Sequence, residues 1–275
     1  MEYKRILTIQ DISCVGQCSM TVALPILSAC GYETCILPTA LLSTHTGGFG
    51  KPAVVHFDDV LDSIRRHWKE NEITFDAILV GYLGSIGAVE TGCRIIDNML
   101  APGGVAIVDP AMADHGKLYS GFDAEYAKAM DILCRRADIV IPNITEAAML
   151  SGQPYREQVD AQYVDALLHG LDYHNVVLTG VSFEEGKTGV MIREGEKQTY
   201  YSHPRVEKSY HGTGDMFAAA FTGALMKKSD VRKAAQIAAD FTCKAIENTR
   251  RNPSHWYGVK FETALPYLME LLEQA

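Results

Sequence analysis

The stretch with the densest chemistry is His211-Gly212-Thr213-Gly214-Asp215, which runs directly into Met216-Phe217-Ala218-Ala219-Ala220-Phe221. Alanine is the strongest helix former, so the run predicts a helix whose N-terminus is the Gly-Thr-Gly turn. Successive amides at such a turn form a nest that, together with the helix dipole, cradles an anion. A carboxylate in the first turn complements that dipole by about 0.3–1 kcal/mol, which accounts for Asp215 alone. It does not account for the two glycines beside it, because glycine costs roughly 1 kcal/mol against alanine inside a helix. Anion-binding amides next to a carboxylate suit phosphoryl transfer. Gly212, Thr213 and Gly214 would hold the migrating group while Asp215 takes a proton from an attacking hydroxyl.

Other polar residues have both a chemical and a structural reading. Asn143 and Glu146 have the spacing of a capping box, which is the stronger reading on spacing alone. A carboxylate there can also hold a hydrated Mg²⁺ near nucleotide phosphates. Asp109 precedes Pro110 at the end of an apolar run, where it either ends a strand or serves a metal or ATP. Cys14 and Cys18 read as small apolar residues rather than reactive thiols, and His45 and His211 can be plain hydrogen-bonded loop residues. Familiar nucleotide motifs are missing. Gly180 to Thr188 has five residues between its glycines instead of the four of a P-loop, and it leads into a strand, so a hairpin turn explains it better. Gly212-x-Gly214 meets Phe217 where a dinucleotide fingerprint needs a third glycine. The nine histidines show no zinc spacing.

The elements that must position these residues alternate regularly. Strands are predicted at Arg5–Ile9, Thr34–Pro38, Ala77–Gly81, Val105–Val108, Ile139–Ile141 and Val176–Thr179. Helices are predicted between them at Met20–Cys30, Asp58–Asn71, Ala88–Leu100, Ala124–Arg135 and Asp160–Leu171. This rhythm implies βαβ units and a parallel sheet covered on both faces. Thr188–Arg193 and Gln198–His203, joined by Glu194-Gly195-Glu196, predict a hairpin at the edge of the sheet. The last third is read as helical at Gly214–Lys228, Asp230–Asn248 and Phe261–Glu273. Ligands of open α/β sheets gather beyond the strands' carboxyl ends. There the sequence places Gln10-Asp11, Ser43 to Gly48, Gly81 to Ser85, Asp109-Pro110, Asn143 to Glu146, and Thr179-Gly180.

Composition narrows the class. Among 275 residues, 47% are apolar and 21% charged, as expected of one globular α/β domain spanning 1–275. With 25 basic and 34 acidic side chains, the net charge of −9 is a poor match to nucleic acid or an anionic membrane. The apolar stretch Met20–Tyr32 is too short to span a bilayer, and the N-terminus lacks the pattern of a signal peptide. Seven irregularly spaced cysteines argue against a disulfide framework and for a reduced, cytoplasmic compartment.

Taken together, Ile9-Gln10, Ser43-x-His45-Thr46, Gly81-Tyr82-Leu83-Gly84-Ser85, Asp109-Pro110, Pro142-Asn143-x-x-Glu146 and Gly212-Thr213-Gly214-Asp215 resemble the pyridoxal kinases of the ribokinase-like superfamily. The match runs in order along nearly the whole chain. Gly-Thr-Gly-Asp indicates only the superfamily, whereas Ser-x-His-Thr and Gly-Tyr-Leu-Gly-Ser point to vitamin B6 kinases. The resemblance implies one α/β/α domain, a homodimer, and transfer of the γ-phosphoryl of Mg²⁺·ATP to the 5′-hydroxymethyl of a B6 vitamer, with K⁺ or another monovalent cation as activator. It makes Asp215 the base and Gly212 to Gly214 the anion hole. Asp109 and Glu146 would serve metal and phosphates with Asn143 nearby, Thr179 would contact nucleotide, and Thr46 and Tyr82 would line the vitamer pocket. The chain departs from the family pattern at Asp11, where serine is common, and at Ile141, where threonine is common. A carboxylate at position 11 can only accept hydrogen bonds, which predicts a bias toward protonated or donor-rich rings. Two other readings stand beside this one: hydroxymethylpyrimidine kinase, whose His-Gly-Thr-Gly-Cys turn His211 echoes, and a non-catalytic B6-phosphate carrier or sensor.

Overall fold

The structure, a computed structural model, describes residues 3–206, 210–227, 229–252 and 254–274. Its strands are β1 (Arg5–Ser13), β2 (Glu33–Leu42), β3 (Val54–His56), β4 (Phe75–Val80), β5 (Leu100–Val108), β6 (Ala113–Asp114), β7 (Lys117–Leu118), β8 (Ile139–Val140), β9 (Asn175–Val181), β10 (Lys187–Glu194) and β11 (Lys197–Pro204). The helices are α1 (Met20–Ala29), α2 (Asp58–Glu70), α3 (Ile86–Met99), α4 (Ala124–Cys134), α5 (Ile144–Ser151), α6 (Ala161–Gly170), α7 (Thr213–Met226), α8 (Val231–Arg250) and α9 (Leu265–Glu273), the last preceded by a 3₁₀ turn at Phe261–Ala264. Nine strands form one sheet in the order β11-β10-β9-β8-β5-β4-β1-β2-β3, and β6 and β7 pair separately. The pairs β2·β1, β1·β4, β4·β5, β5·β8 and β8·β9 are parallel, and the hairpin strands and β3 add antiparallel edges. This is the expected α/β/α layering.

Alternation along the central strands builds the two cores. Leu7, Ile9, Ile78, Val80, Val108 and Leu178 face one apolar cluster with Leu61, Val89, Leu133, Ala147 and Leu167, which places α2 to α6 on that side. Ile6, Ala77, Leu79, Ile107 and Val177 face the other with Val22, Phe217, Ala238 and Leu268, so α1, α7, α8 and α9 cover the opposite side. Each fully buried large side chain removes about 1.5–3 kcal/mol of unfavourable hydration. The small alanines of α7 let it sink between sheet and neighbouring helices, and Met216 through Ala224 are all buried.

Most predicted elements appear with shifted ends. The helix predicted over Ala88–Leu100 starts at Ile86, capped by the Ser85 hydroxyl, and stops at Met99, because Leu100 already pairs with Phe75 as the start of β5. The hairpin turn is Gly195-Glu196 only, since Glu194 pairs with Lys197. The stretch from Gly180 to Thr188 does hold the turn of a hairpin: residues 182–186 bend between the antiparallel β9 and β10. Of the helix predicted over Gly214–Lys228, Lys228 lies outside the described residues. The sequence reading passed over β3, the β6–β7 pair and α5 as elements. No helix among the described residues is long and apolar enough to cross a membrane, and the seven cysteines are free thiols.

Candidate active site

The side on which successive strands are added switches at β1, which lies between β2 on one side and β4 on the other, with later parallel strands added beyond β4. Ligand crevices of open α/β sheets open at such a switch point. The residues that leave β1 and β4 there meet directly: the Asp11 amide donates to the Tyr82 carbonyl at 3.2 Å, and the Thr39 hydroxyl donates to the same oxygen at 3.4 Å. Asp11 is only 4% exposed and accepts from the Ser13 hydroxyl at 3.2 Å. Burial pushes its carboxyl up against the opposing hydrogen bonds of Ser19 and Ser13. The Tyr82 ring stacks on Phe122, centroids 5.3 Å apart, and Phe122 lies flat on Tyr126 at 3.7 Å. This aromatic stack stands beside the switch point. Thr46 is exposed on the loop after β2, and the loop is held to the loop after β1 by the His45 amide, 2.7 Å from the Val15 carbonyl.

Asp215 is the third residue of α7, and the N-cap of that helix is Gly212 with φ 80° and no side-chain cap. A left-handed φ suits glycine, and a Cβ at this position would also strike the Gln17 carbonyl. The amides of the first turn therefore have no capping side chain to bind, which leaves them for an anion. Asp215 accepts the Ser19 amide at 2.8 Å. Burial pushes its carboxyl up to about 6, the Ser19 amide works against this, and the charge of Asp11 adds to it.

Asp109 follows β5. Its Oδ1 accepts from the Ala111 amide at 3.1 Å, while Oδ2 lies 3.6 Å from where a Cβ on Gly214 would stand. The second oxygen thus faces the Gly-Thr-Gly turn. Behind it, Glu146 is 1% exposed and tied down by backbone amides: Oε1 accepts from Met112 at 3.0 Å and Ala113 at 3.4 Å, and Oε2 from Asn143 at 2.9 Å. Asn143 completes the capping box by accepting the Glu146 amide at 3.0 Å, and its Nδ2 donates to the Ala113 carbonyl. Burial raises both carboxyls, and for Asp109 the charges of Glu146 and Asp215 add to the effect. Thr179, on β9, bridges to Asn143 and donates to the Pro142 carbonyl at 2.9 Å through its amide.

The structure thus brings Asp11 and Tyr82 together at the switch point, Asp215 with Gly212 to Gly214 at the α7 turn, and Asp109, Asn143, Glu146 and Thr179 at the ends of β5, β8 and β9. Four acids are near neighbours in a row, Glu146 beside Asp109, Asp109 beside Asp215 and Asp215 beside Asp11, and their summed negative charge favours a cation there. No group of three His, Cys, Asp or Glu among the described residues forms a metal cage. Mg²⁺ does not need one, since it binds through one or two carboxylates, water and substrate phosphates. Asp109 Oδ2 beside an anion-binding turn fits that mode.

Sequence reasoning missed Ser19, Ser13 and Phe122. It also missed that the His45 and His211 rings meet, centroids 4.6 Å apart, between the loop after β2 and the α7 turn. Burial lowers the His45 imidazole, with His211 adding to the effect.

Residues 24–259 match the family model described as phosphomethylpyrimidine kinase. The chain is 33% identical to the crystal structure of pyridoxal kinase from Lactobacillus plantarum, covering 99% of both chains with a TM-score of 0.90. It is 32% identical to a Bacteroides thetaiotaomicron protein described as a phosphomethylpyrimidine kinase and solved with pyridoxal, covering 98% of this chain and 96% of that one with a TM-score of 0.87. It is 28% identical to a pyridoxine/pyridoxal/pyridoxamine kinase of Bordetella avium, across 89% of this chain and 85% of the relative. With a family model spanning most of its length and relatives above 30% identity end to end, the chain belongs to the phosphomethylpyrimidine kinase family and is a kinase of its vitamin B6 branch, on the ribokinase-like fold.

Proposed function

We propose that this kinase transfers the γ-phosphoryl of ATP to the 5′-hydroxymethyl of pyridoxal, pyridoxine or pyridoxamine. The observation that carries the reading is the open N-terminus of α7, with uncapped amides and a carboxylate of pKa about 6 in the same turn. The vitamer ring lies at the switch point between Asp11, Tyr82 and the Thr46 loop. Its hydroxyl oxygen attacks the γ-phosphorus as Asp215 takes the hydroxyl proton. The bond from that phosphorus to the β-bridging oxygen breaks, ADP leaves with the bond's electrons, and the Gly212 to Gly214 amides hold the phosphoryl oxygens in passage. Thr179 and Asn143 line the nucleotide side. Asp109 and Glu146 would hold Mg²⁺, which when bound would neutralise phosphate charge: Asp109 would offer the oxygen facing the turn, and Glu146 the lone pairs its three amides leave free. Monovalent-cation activation comes with the family, and no residue is assigned to it.

A second reading is favoured by Asp11. A buried acceptor-only group suits an amino-pyrimidine as well as a protonated pyridine, so hydroxymethylpyrimidine is the competing alcohol. ATP consumption and phosphorylated product should be measured with pyridoxal, pyridoxine, pyridoxamine and hydroxymethylpyrimidine, in the parent and in Asp11→Ser. The reading expects a B6 vitamer to have the highest kcat/KM, and pyridoxamine to lose ground to pyridoxal in Asp11→Ser. A higher kcat/KM for the pyrimidine overturns the substrate, and identical rankings in both proteins remove Asp11 from ring recognition.

The reading includes a cytoplasmic homodimer. Ile36 and Leu41 on β2 with Val54 and Val55 on β3 leave an exposed apolar edge at one end of the sheet. Sedimentation should give twice the 30.2 kDa chain mass.

A further inference from the structure

Ser19 occupies the N-cap of α1, where a serine hydroxyl ordinarily accepts a bond from the helix's own amides. Here it makes no such bond, and its backbone sits at φ 51°, ψ −127°. The caps Ser85, Asp123 and Asp160 are extended and do bond their helices. A serine in the left-handed half of the backbone map is strained, and such strain persists only where the surroundings over-determine it.

The surroundings are explicit. Gln17, two residues earlier, is also left-handed at φ 49°. Gly212, the cap of α7, packs on the Gln17 carbonyl and the Cys18 backbone. Gly258 approaches so closely that a Cβ there would stand 2.7 Å from the Gln17 Cβ. Gly16 is pressed in the same way against His45. The anion-hole turn, the C-terminal segment and the vitamer-side loop therefore converge on Gly16 to Ser19. Held in this way, Ser19 directs its amide to Asp215 Oδ2 at 2.8 Å, and its side chain lies by Asp11, where it works to lower that carboxyl against burial.

We propose that Ser19 is a positioning residue for the base, its backbone amide fixing one oxygen of Asp215 so that Oδ1 meets the substrate hydroxyl, while its side chain ties Asp11 to the same frame. The inference rests on Asp215 being the base. It explains why a preferred capping residue gives up its cap and tolerates strain, which a purely structural serine has no reason to do.

The test replaces the Ser19 amide by an ester, using the α-hydroxy analogue of serine, which keeps the side chain and removes the donor. Hydrogen bonds to a charged group are strong enough that kcat should fall by roughly 10–100-fold, with KM for ATP and vitamer within about twofold. The same ester in an Asp215→Asn background should cause no further loss. An ester variant with parental kcat, or one that loses as much in the Asp215→Asn background, overturns the proposal. If Asp215→Asn alone keeps near-normal rate, the base assignment fails instead, and the two failures are told apart. A second measurement does not depend on the ester variant folding. Hydrogen exchange at the Ser19 amide should be slow in the parent and at least about tenfold faster in Asp215→Ala, as for a donor released from its acceptor. An amide equally unprotected in both overturns the proposal.

Discussion

At the start of α5 the N-cap is Asn143 and the third helical residue is Glu146; at the start of α7 the same two places hold Gly212 and Asp215. In α5 the capping box closes on itself. Asparagine takes the glutamate amide, glutamate takes the asparagine amide and those of Met112 and Ala113, and the carboxylate is 1% exposed. In α7 glycine supplies no cap, the carboxylate turns sideways to Ser19, and Asp215 stays half-buried at the mouth of the cleft. One helix position thus serves two ends. A closed cap uses its amides to stabilise the chain, whereas an open cap leaves them available for the proposed phosphoryl group and its acid for the proposed proton transfer.

The largest effect should come from the open side. Removing a general base costs about 10²–10⁴-fold in rate, so Asp215→Asn should lose kcat with pyridoxal by that order while still binding ATP, as read by steady-state kinetics and nucleotide titration. On the closed side, Glu146→Gln keeps a carbonyl oxygen for the capping box but no charge. The Mg²⁺ concentration for half-maximal rate should rise by about tenfold, and an unchanged Mg²⁺ response would make Glu146 a cap and nothing more. The smallest effect belongs to the cap itself: Asn143→Ala should cost about 1 kcal/mol of stability in urea unfolding. A loss near zero would mean that the box contributes nothing to the fold, and the contrast between the two helices would lose its structural half.

How much of this the sequence discloses depends on the range of the interactions. The Gly-Thr-Gly-Asp turn and the Asn143–Glu146 box are written within five residues, and both stand where the sequence reading put them. The strand–helix rhythm is likewise local, which is why the parallel sheet was readable. β1 runs four residues past its predicted end because Asp11 and Ser13 look like loop residues, yet Ile12 and Ser13 pair with Leu41 and Leu42 of β2. β3, at only three residues, is too short to show a period. Ser19 was invisible for a deeper reason. It contributes a backbone amide, which every residue but proline has, and the segment just before it, Gly16 to Cys18, is packed by Gly212 and Gly258 from far along the chain.

The central claim is that Asp215 must be ionised for phosphoryl transfer, and its carboxyl is pushed up to about 6. A base is active only when deprotonated, so the rate must fall as pH drops through that value and level off above it. The measurement is kcat for pyridoxal between pH 4.5 and 8, roughly spanning that value, at saturating ATP and Mg²⁺, in the parent and in Asp215→Asn. The parent should show an acid limb with its midpoint near pH 6, and the variant a residual rate that has lost that limb. A variant that keeps both the parental rate and the parental acid limb would contradict the claim.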